Sequence, residues 1–510
     1  MRTEVPALIW TNMKKIVFSL AVLAAIITAC TVKNNPVIPE DNPVTGEETI
    51  VPEEPAIEGI PFVATVSASR EDPETRSIAE SGSDLAVNWA ENEEIALIYT
   101  AGGTPVNTTA RVSSVDSGTG AATITASLDA SVTDNTPVTL IFPASVADGT
   151  TGNILSTALS AQDGALSNNR DIRKGSGTIR VSGTATLRDG ATLVAQYAIC
   201  KFEIKDIDGS NNLSVSSFRV KDASGNVITT VTPSPASSTL YVSLPASSSL
   251  TWFEAVASGK SYVAKATAGL SAGVFYTPTL KMATIGNVIG ANFKFYKDKN
   301  AAVAAGTTAT AIIAYVGDDT AETGFKNGLA ISMKNISSGT VQWSTSSTAV
   351  NPNTYSTAAL AIAAKESGSS LSSGRGTDSY PAFKAALAND ISLESGISAT
   401  APSGTSGWFL ASMFQWNNIL KGLGGASTDI SGDVNNDFKI DKYYTIIQAS
   451  WNDDSYVIPH QIGRTGSYQD KFWTSSERSA DYAWDYYAQN GTVVNNYKTN
   501  YMSVRAALAF

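Results

Sequence analysis

Asp433, Asn435, Asp437 and Asp441, in the stretch DVNNDFKID, repeat the spacing of the early oxygen ligands of a calcium-binding loop. Carboxylates and carboxamides at alternate positions of a turn can surround a hard cation, so this is the chain's best metal candidate. The pattern is incomplete. Phe438 stands at the sixth position, where such loops need glycine, and Tyr444 at the twelfth, where they end on an acid. Asx-rich turns of this composition also form without metal, so both readings stay open, and no other cofactor is expected. Catalysis has less to work with. The chain has one histidine, His460, in YVIPHQ, with no serine or cysteine motif to partner it, and a Ser-His-Asp or Cys-His system would have to run through that residue alone. No G-x-S-x-G occurs. Gly259-Lys260-Ser261 has Glu254 where a phosphate-binding loop needs its first glycine, and reads as a hairpin turn. No catalytic residue is expected, and the chain reads as a non-enzyme.

The 510 residues carry a net charge of −11, which repels phosphate backbones and makes nucleic acid an unfavourable partner. Charged residues are only 16%, and Ser, Thr, Ala and Gly fill the gap, as suits an all-β surface protein. The two cysteines have different roles. Met13-Lys14-Lys15, the apolar run Ile16 to Ile27 and the small residues before Cys30 form an export signal. Twelve apolar residues fall short of the roughly 20 that span a bilayer as a helix. Residues 1–12 fit no part of such a signal, so the true start is expected at Met13. Cys200 alternates with Phe202 and Ile204 on one face of a strand and is expected to be buried and inert.

The elements behind these residues come in three styles. Residues 30–58 hold Pro36, Pro39, Pro43, Pro52 and Pro55 among acids, with no apolar period, and read as an extended tether. From Pro61 to Met282 apolar residues alternate in short strands, beginning with Phe62, Ala64, Val66 and Ala68. Turns fall at Asp116 to Gly120 and Ala223 to Asn226. The spacing predicts antiparallel β domains over 59–160 and 161–286, joined through a connector near Gly286 to Asn292 to a third domain, 293–510. There helical spacing first appears. Met413, Trp416, Ile419, Leu420 and Leu423 follow the N-cap candidate Ser412, with Gly422, Gly424 and Gly425 to stop the helix, and Tyr380 to Ala388 is a second helix. Met502, Val504, Ala506, Leu508 and Phe510 alternate in a final strand, with one face in a core.

Several stretches resemble known families. Ile27 to Cys30 resembles a bacterial lipobox, which implies lipid attachment, palmitate included, at Cys30 and an outer-membrane location. IPFVATVSASREDPETRS (60–77), VNWAENEEIALIY (87–99), YAICKFEI (197–204), STLYVSLPA (238–246) and AGVFYTPTLKM (272–282) resemble fimbrillins, the lipoprotein subunits of type V fimbriae. The resemblance covers about 60–285. It implies a two-part antiparallel β-sandwich and other fimbrial subunits as strand-exchange partners. It also implies maturation by a trypsin-like protease beyond the first strand, at Arg70 or Arg76. The alternative for both arginines is a solvated loop.

The last 218 residues have their own resemblance. AYVGDD, GFKNGLAISMKN, GTSGWFLASMFQWNNIL, KFWTSSERSADYAWDY and YMSVRAALAF are similar to a bacterial C-type-lectin-like domain of α+β fold. This sequence departs from it at Ala411, where proline is usual, and at Thr474, where serine is usual. The resemblance implies pairing of the first and last strands, Ala309 to Val316 and Tyr501 to Phe510. Trp451-Asn452-Asp453 spells a tripeptide that supplies calcium and sugar ligands in animal C-type lectins, but 57 residues follow it and no partner motif is present, so it reads as coincidence.

Twelve of the 60 residues from Trp451 to Phe510 are aromatic, against 8% overall. Trp473 is expected in the core. Downstream, the even-numbered Tyr482, Trp484 and Tyr486 share one strand face, and Asp485, Tyr487 and Gln489 share the other and are expected on an exposed, ligand-facing surface. The chain thus reads as a minor or tip fimbrial subunit that adheres to a surface glycan or protein. The alternative is a lipoprotein that binds without polymerising.

Overall fold

The computed structural model describes residues 59–68, 79–81, 84–86, 89–166, 171–336, 339–391, 395–424, 471–487 and 492–510. Cys30, Arg70, Arg76, Asp433, Asn435, Asp437, Asp441, His460 and Gln489 lie outside them, as does the side chain of Tyr487. The described architecture is mainly β, with its α-helices beyond residue 298 and a single 3-10 turn at Ala144–Val146 before them.

In Ile60–Ala68 the alternation Phe62, Ala64, Val66 points inward, and all three are buried, while Val63 faces out at 42% exposure. This strand runs antiparallel to Ala122–Leu128 over seven pairs, from Ile60 opposite Leu128 to Val66 opposite Ala122. On its other side it runs parallel to Thr184–Leu187 and Ala191–Ala195. The eight-stranded sheet therefore closes on itself through its first strand, around a core that includes Ile95, Leu97, Ile124, Leu140 and Leu193. At Gly175 a Cβ would stand 2.6 Å from the Thr192 carbonyl oxygen, so only glycine lets these strands approach.

The boundary expected at 160/161 moves. Arg173–Ser182, Thr184–Leu187 and Ala191–Ala195 complete the first sheet, whereas Ala161–Gln162 already pairs with Val227–Val231 of the second. The chain crosses, returns and crosses again, a path that local periodicity does not encode. The second sheet has nine strands, mostly within 197–284, and its core includes Phe202, Phe218 and Phe253 with ring centroids 5.2–5.9 Å apart. Cys200 is buried there as expected, and burial pushes its thiol up to about 12. One edge of this sheet, Thr239–Pro245, is covered by a side chain. The Gln162 amide accepts from Ser243 N and donates to Ser243 O, both at 2.9 Å, and Tyr241 N donates to Gly164 O. A strand edge left bare would recruit other chains.

The third part holds a six-stranded sheet and a five-stranded sheet. Its first element is Val288–Gly290, which pairs with Ala309–Val316, so the stretch expected to be a connector is part of the sheet. The helix Met413–Gly424 forms as expected. Ser412 Oγ accepts from Gln415 N at 3.3 Å and Gln415 Oε1 accepts from Ser412 N at 3.0 Å, a reciprocal capping box. The second helix is Pro381–Ala388, with proline at its first position and Asn389 in the left-handed conformation at its end.

The pairing of first and last strands is corrected. Gly328–Ser332 lies between Ala309–Val316 and Ala506–Ala509, and the latter pairs on its other side with Phe409–Leu410. The terminal strand is also buried on both faces, not one. Leu508 and Phe510 face a core with Trp343 and Trp473, while Ala507 and Ala509 face the core under the helix Met413–Gly424. Alanine on the second face makes room for that layer. Trp252 of the second sheet meets Phe293, Phe295 and Phe510, with Lys265 Nζ 3.6 Å from the Phe293 ring centroid.

Candidate functional site

Two regions bear on function: the strand FWTSSE with its neighbours, and the groove that seats the first strand. Lys471–Glu477 is central in the five-stranded sheet, between Tyr482–Tyr487 and Tyr501–Ser503. Trp473 is fully buried as expected, its indole donating to Val341 O at 2.9 Å. Trp343 donates to Thr474 O at 2.8 Å, and Thr474 Oγ1 to Trp484 O at 2.9 Å. Position 474 uses a hydroxyl, which threonine supplies as serine would. Ser476 Oγ accepts from Met413 N at the start of the long helix.

Glu477 and Lys498 form an ion pair with neither side chain exposed. Glu477 also accepts from Asn351 N at 2.6 Å and Val350 N at 3.1 Å, and Lys498 donates to Thr348 O and Ala480 O, each at 2.7 Å. Arg375 donates to Val350 O from beside the Phe383 ring. This segment is thus a buried hub that pins the loop 343–355. Thr474, Ser476 and Glu477 are engaged in holding backbone, while the Ser475 hydroxyl is buried without a hydrogen-bond partner.

Asp485 corrects the expectation of an exposed surface. It lies opposite Trp473 and is fully buried, as are Ala483, Trp484 and Tyr486. The strand Tyr482–Tyr487 is interior to the sheet. On one side Trp484 and Tyr486 pack with Trp416 of the long helix, and on the other Ala483 joins the Trp473 core. Period-two reasoning assumes one wet face, and from Ala483 to Tyr486 both faces are buried. Burial pushes the Asp485 carboxyl up to about 7, against Asn496, which donates to Oδ2 at 2.6 Å, and against the charge of Lys471. Oδ1 has no hydrogen-bond partner.

Among the described residues two tyrosines of this sheet are exposed, Tyr497 on the neighbouring strand Thr492–Tyr497 and Tyr501 on the far side of Lys471–Glu477. Tyr497 is 51% exposed and Tyr501 56%. Tyr497 lies opposite Tyr482 with ring centroids 4.4 Å apart, and the Arg478 guanidinium is 5.7 Å from the Tyr482 ring. Reading the parity of Thr492–Tyr497 together with that of 482–487 would have pointed to this pair. Among the described residues no group of three or more His, Cys, Asp or Glu could hold a metal.

At the other end, Phe62, Ala64 and Val66 fill a slot between Ala122–Leu128 on one side and the strands 184–187 and 191–195 on the other. Withdrawing residues 60–68 would uncover two strand edges and an apolar floor that includes Leu193 and Ile124. Such a slot accepts an extended segment with apolar residues at every second position.

No family model matches the chain, and no curated protein matches it. A search of solved structures returns a fimbrial protein from Bacteroides ovatus at 12% identity, covering 89% of this chain and 99% of that one, with a TM-score of 0.28. A candidate cell adhesion protein, also from Bacteroides ovatus, matches at 14% identity over 44% of this chain and 96% of its own, again with a TM-score of 0.28. A C-terminally truncated tip fimbrial protein from Porphyromonas gingivalis matches at 11% identity over 45% and 92%, with a TM-score of 0.20. The chain is similar to these proteins at a level that by itself decides neither family nor function.

Proposed function

We propose that this chain is a cell-surface fimbrial subunit, minor or at the tip, that adheres through its C-terminal lectin-like domain. The observation that supports it best is the seating of the two ends of the described fold. The strand Ala506–Ala509 is paired on both sides, so it offers no free strand to a following subunit. The strand Ile60–Ala68 fills a slot of the shape a donated strand would need. In this reading a subunit that accepts a strand while its last described strand stays in its own sheet sits at the end of a fibre. In this reading Cys30 carries the lipid that holds the precursor at the outer membrane. Cleavage at Arg70 or Arg76 then frees the first strand, and the unidentified surface glycan or protein meets the face bearing Tyr482 and Tyr497.

A second reading, a lipoprotein that binds without polymerising, is favoured by the integration of that first strand, which closes its sheet through seven antiparallel pairs. Fractionation separates the two. Co-purification with sheared fimbriae of a form beginning after Arg70 or Arg76 supports the first. Full-length monomer held only in outer-membrane vesicles overturns it.

A further inference from the structure

Lys221 ends the strand Ser217–Lys221 and is fully buried where the second sheet meets the third part of the chain. Its Nζ contacts Glu254 Oε1 and Asp318 Oδ1, donates to Lys326 O at 2.8 Å, and lies 3.4 Å from Asn327 Oδ1. Glu254 is 5% exposed and Asn327 2%. Arg219 completes the cluster, 2.9 Å from Asp318 and 3.2 Å from Glu254. An amine, a carboxyl and a carboxamide thus share one water-poor place, contributed by two parts of the chain.

We propose that Lys221 and Asn327 become joined by an intramolecular amide bond, with Glu254 moving the protons. Lys221 first passes a proton to Glu254. Both become neutral and the Arg219–Asp318 pair stays balanced, so the step leaves the buried charge unchanged. Burial favours the neutral carboxyl and holds Glu254 above the usual carboxylate range, against the pull of Lys221 and Arg219. The free amine then attacks Cγ of Asn327 and forms the new C–N bond. Glu254 gives its proton to the departing amide nitrogen and recovers one from the acylated Lys221 nitrogen. The old C–N bond breaks and one ammonia leaves, with no oxidant or co-reactant. Fixed proximity supplies what two separate amides and amines lack in water. Asp318 is the rival acyl group, but its side chain is 46% exposed, and Lys221 and Arg219 hold it below the usual range despite partial burial. It stays a carboxylate, which resists an amine. The bond would tie the second sheet to the third across 106 residues of chain.

The test is peptide mapping of the purified full chain, denatured and digested after Lys and Arg. The expected result is a branched ion joining the Lys221 and Asn327 peptides, lighter by about 17 Da than their sum, and absent from Glu254→Gln and Lys221→Arg. Quantitative recovery of the two unlinked peptides from folded wild-type protein overturns the proposal. So does a loss of about 18 Da mapping to Asp318 or Glu254, which would mean a different acyl group. The wild-type map decides the question even where a variant fails to fold.

Discussion

Glu477 and Lys498 face each other in a place from which water is excluded, and between them they hold five other backbone groups, at Thr348, Val350, Asn351, Ala480 and, through the Glu477 carbonyl, Tyr355. Removing one partner leaves a buried charge with nothing to balance it, and costs more than the pair contributes. Lys498→Met should therefore destabilise the protein by about 3–5 kcal/mol. Urea unfolding followed by tryptophan fluorescence measures it. The double variant Glu477→Gln, Lys498→Met should recover part of the loss.

Asp485 sets a pH dependence of known sign. Its folded-state value is raised to about 7 from 3.8. Stability from this group is therefore fully present below about pH 4 and is lost as pH rises towards 7. The whole effect is of the order of a few kcal/mol. Asp485→Asn should flatten that part of the stability profile and raise the midpoint at pH 8, read by thermal melts across pH 4 to 8. A wild-type profile that climbs through this window assigns the carboxyl a different environment.

Gly422 lies inside the helix Met413–Gly424, where a Cβ would come within 2.0 Å of the Ala314 carbonyl oxygen. In an exposed helix Gly→Ala stabilises by about 1 kcal/mol. Here the methyl has no room, and Gly422→Ala should destabilise by about 1–3 kcal/mol as the helix is forced off its sheet. Chemical denaturation of the purified variant gives the sign directly.

The Cys200 thiol, raised to about 12, is not a thiolate at neutral pH. A maleimide reagent should leave it unmodified in the native protein over hours and label it within minutes in denaturant, with peptide mapping locating the label. Native labelling would show that the second core opens far more readily than its packing implies.

Much of the fold was legible in residue spacing. Phe62 to Val66, Cys200 to Ile204 and the helix begun by Ser412 behave as their local pattern dictates, because burial of one face and a capped end are properties of a few consecutive residues. Relations between distant segments were not legible. Nothing near Arg173 says that the chain re-enters the first sheet, and nothing near Gly328 says that it will separate Ala309–Val316 from the last strand. The site divided in the same way. Trp473 could be placed, since a large aromatic needs a core wherever it falls. Asp485 could not, because its burial depends on a second core arriving from another part of the chain. Buried Lys221 was invisible for that reason too, its partners lying 33 to 106 residues away.

The alanines of the last strand carry one more consequence. Between Ala507 and Ala509 on one face and Leu508 on the other, the partition separating the two cores of the C-terminal part is a single backbone with methyl groups for plaster. A wall so thin cannot insulate its two rooms. Damage to either core should be felt in the other, and the whole C-terminal part should melt in one transition.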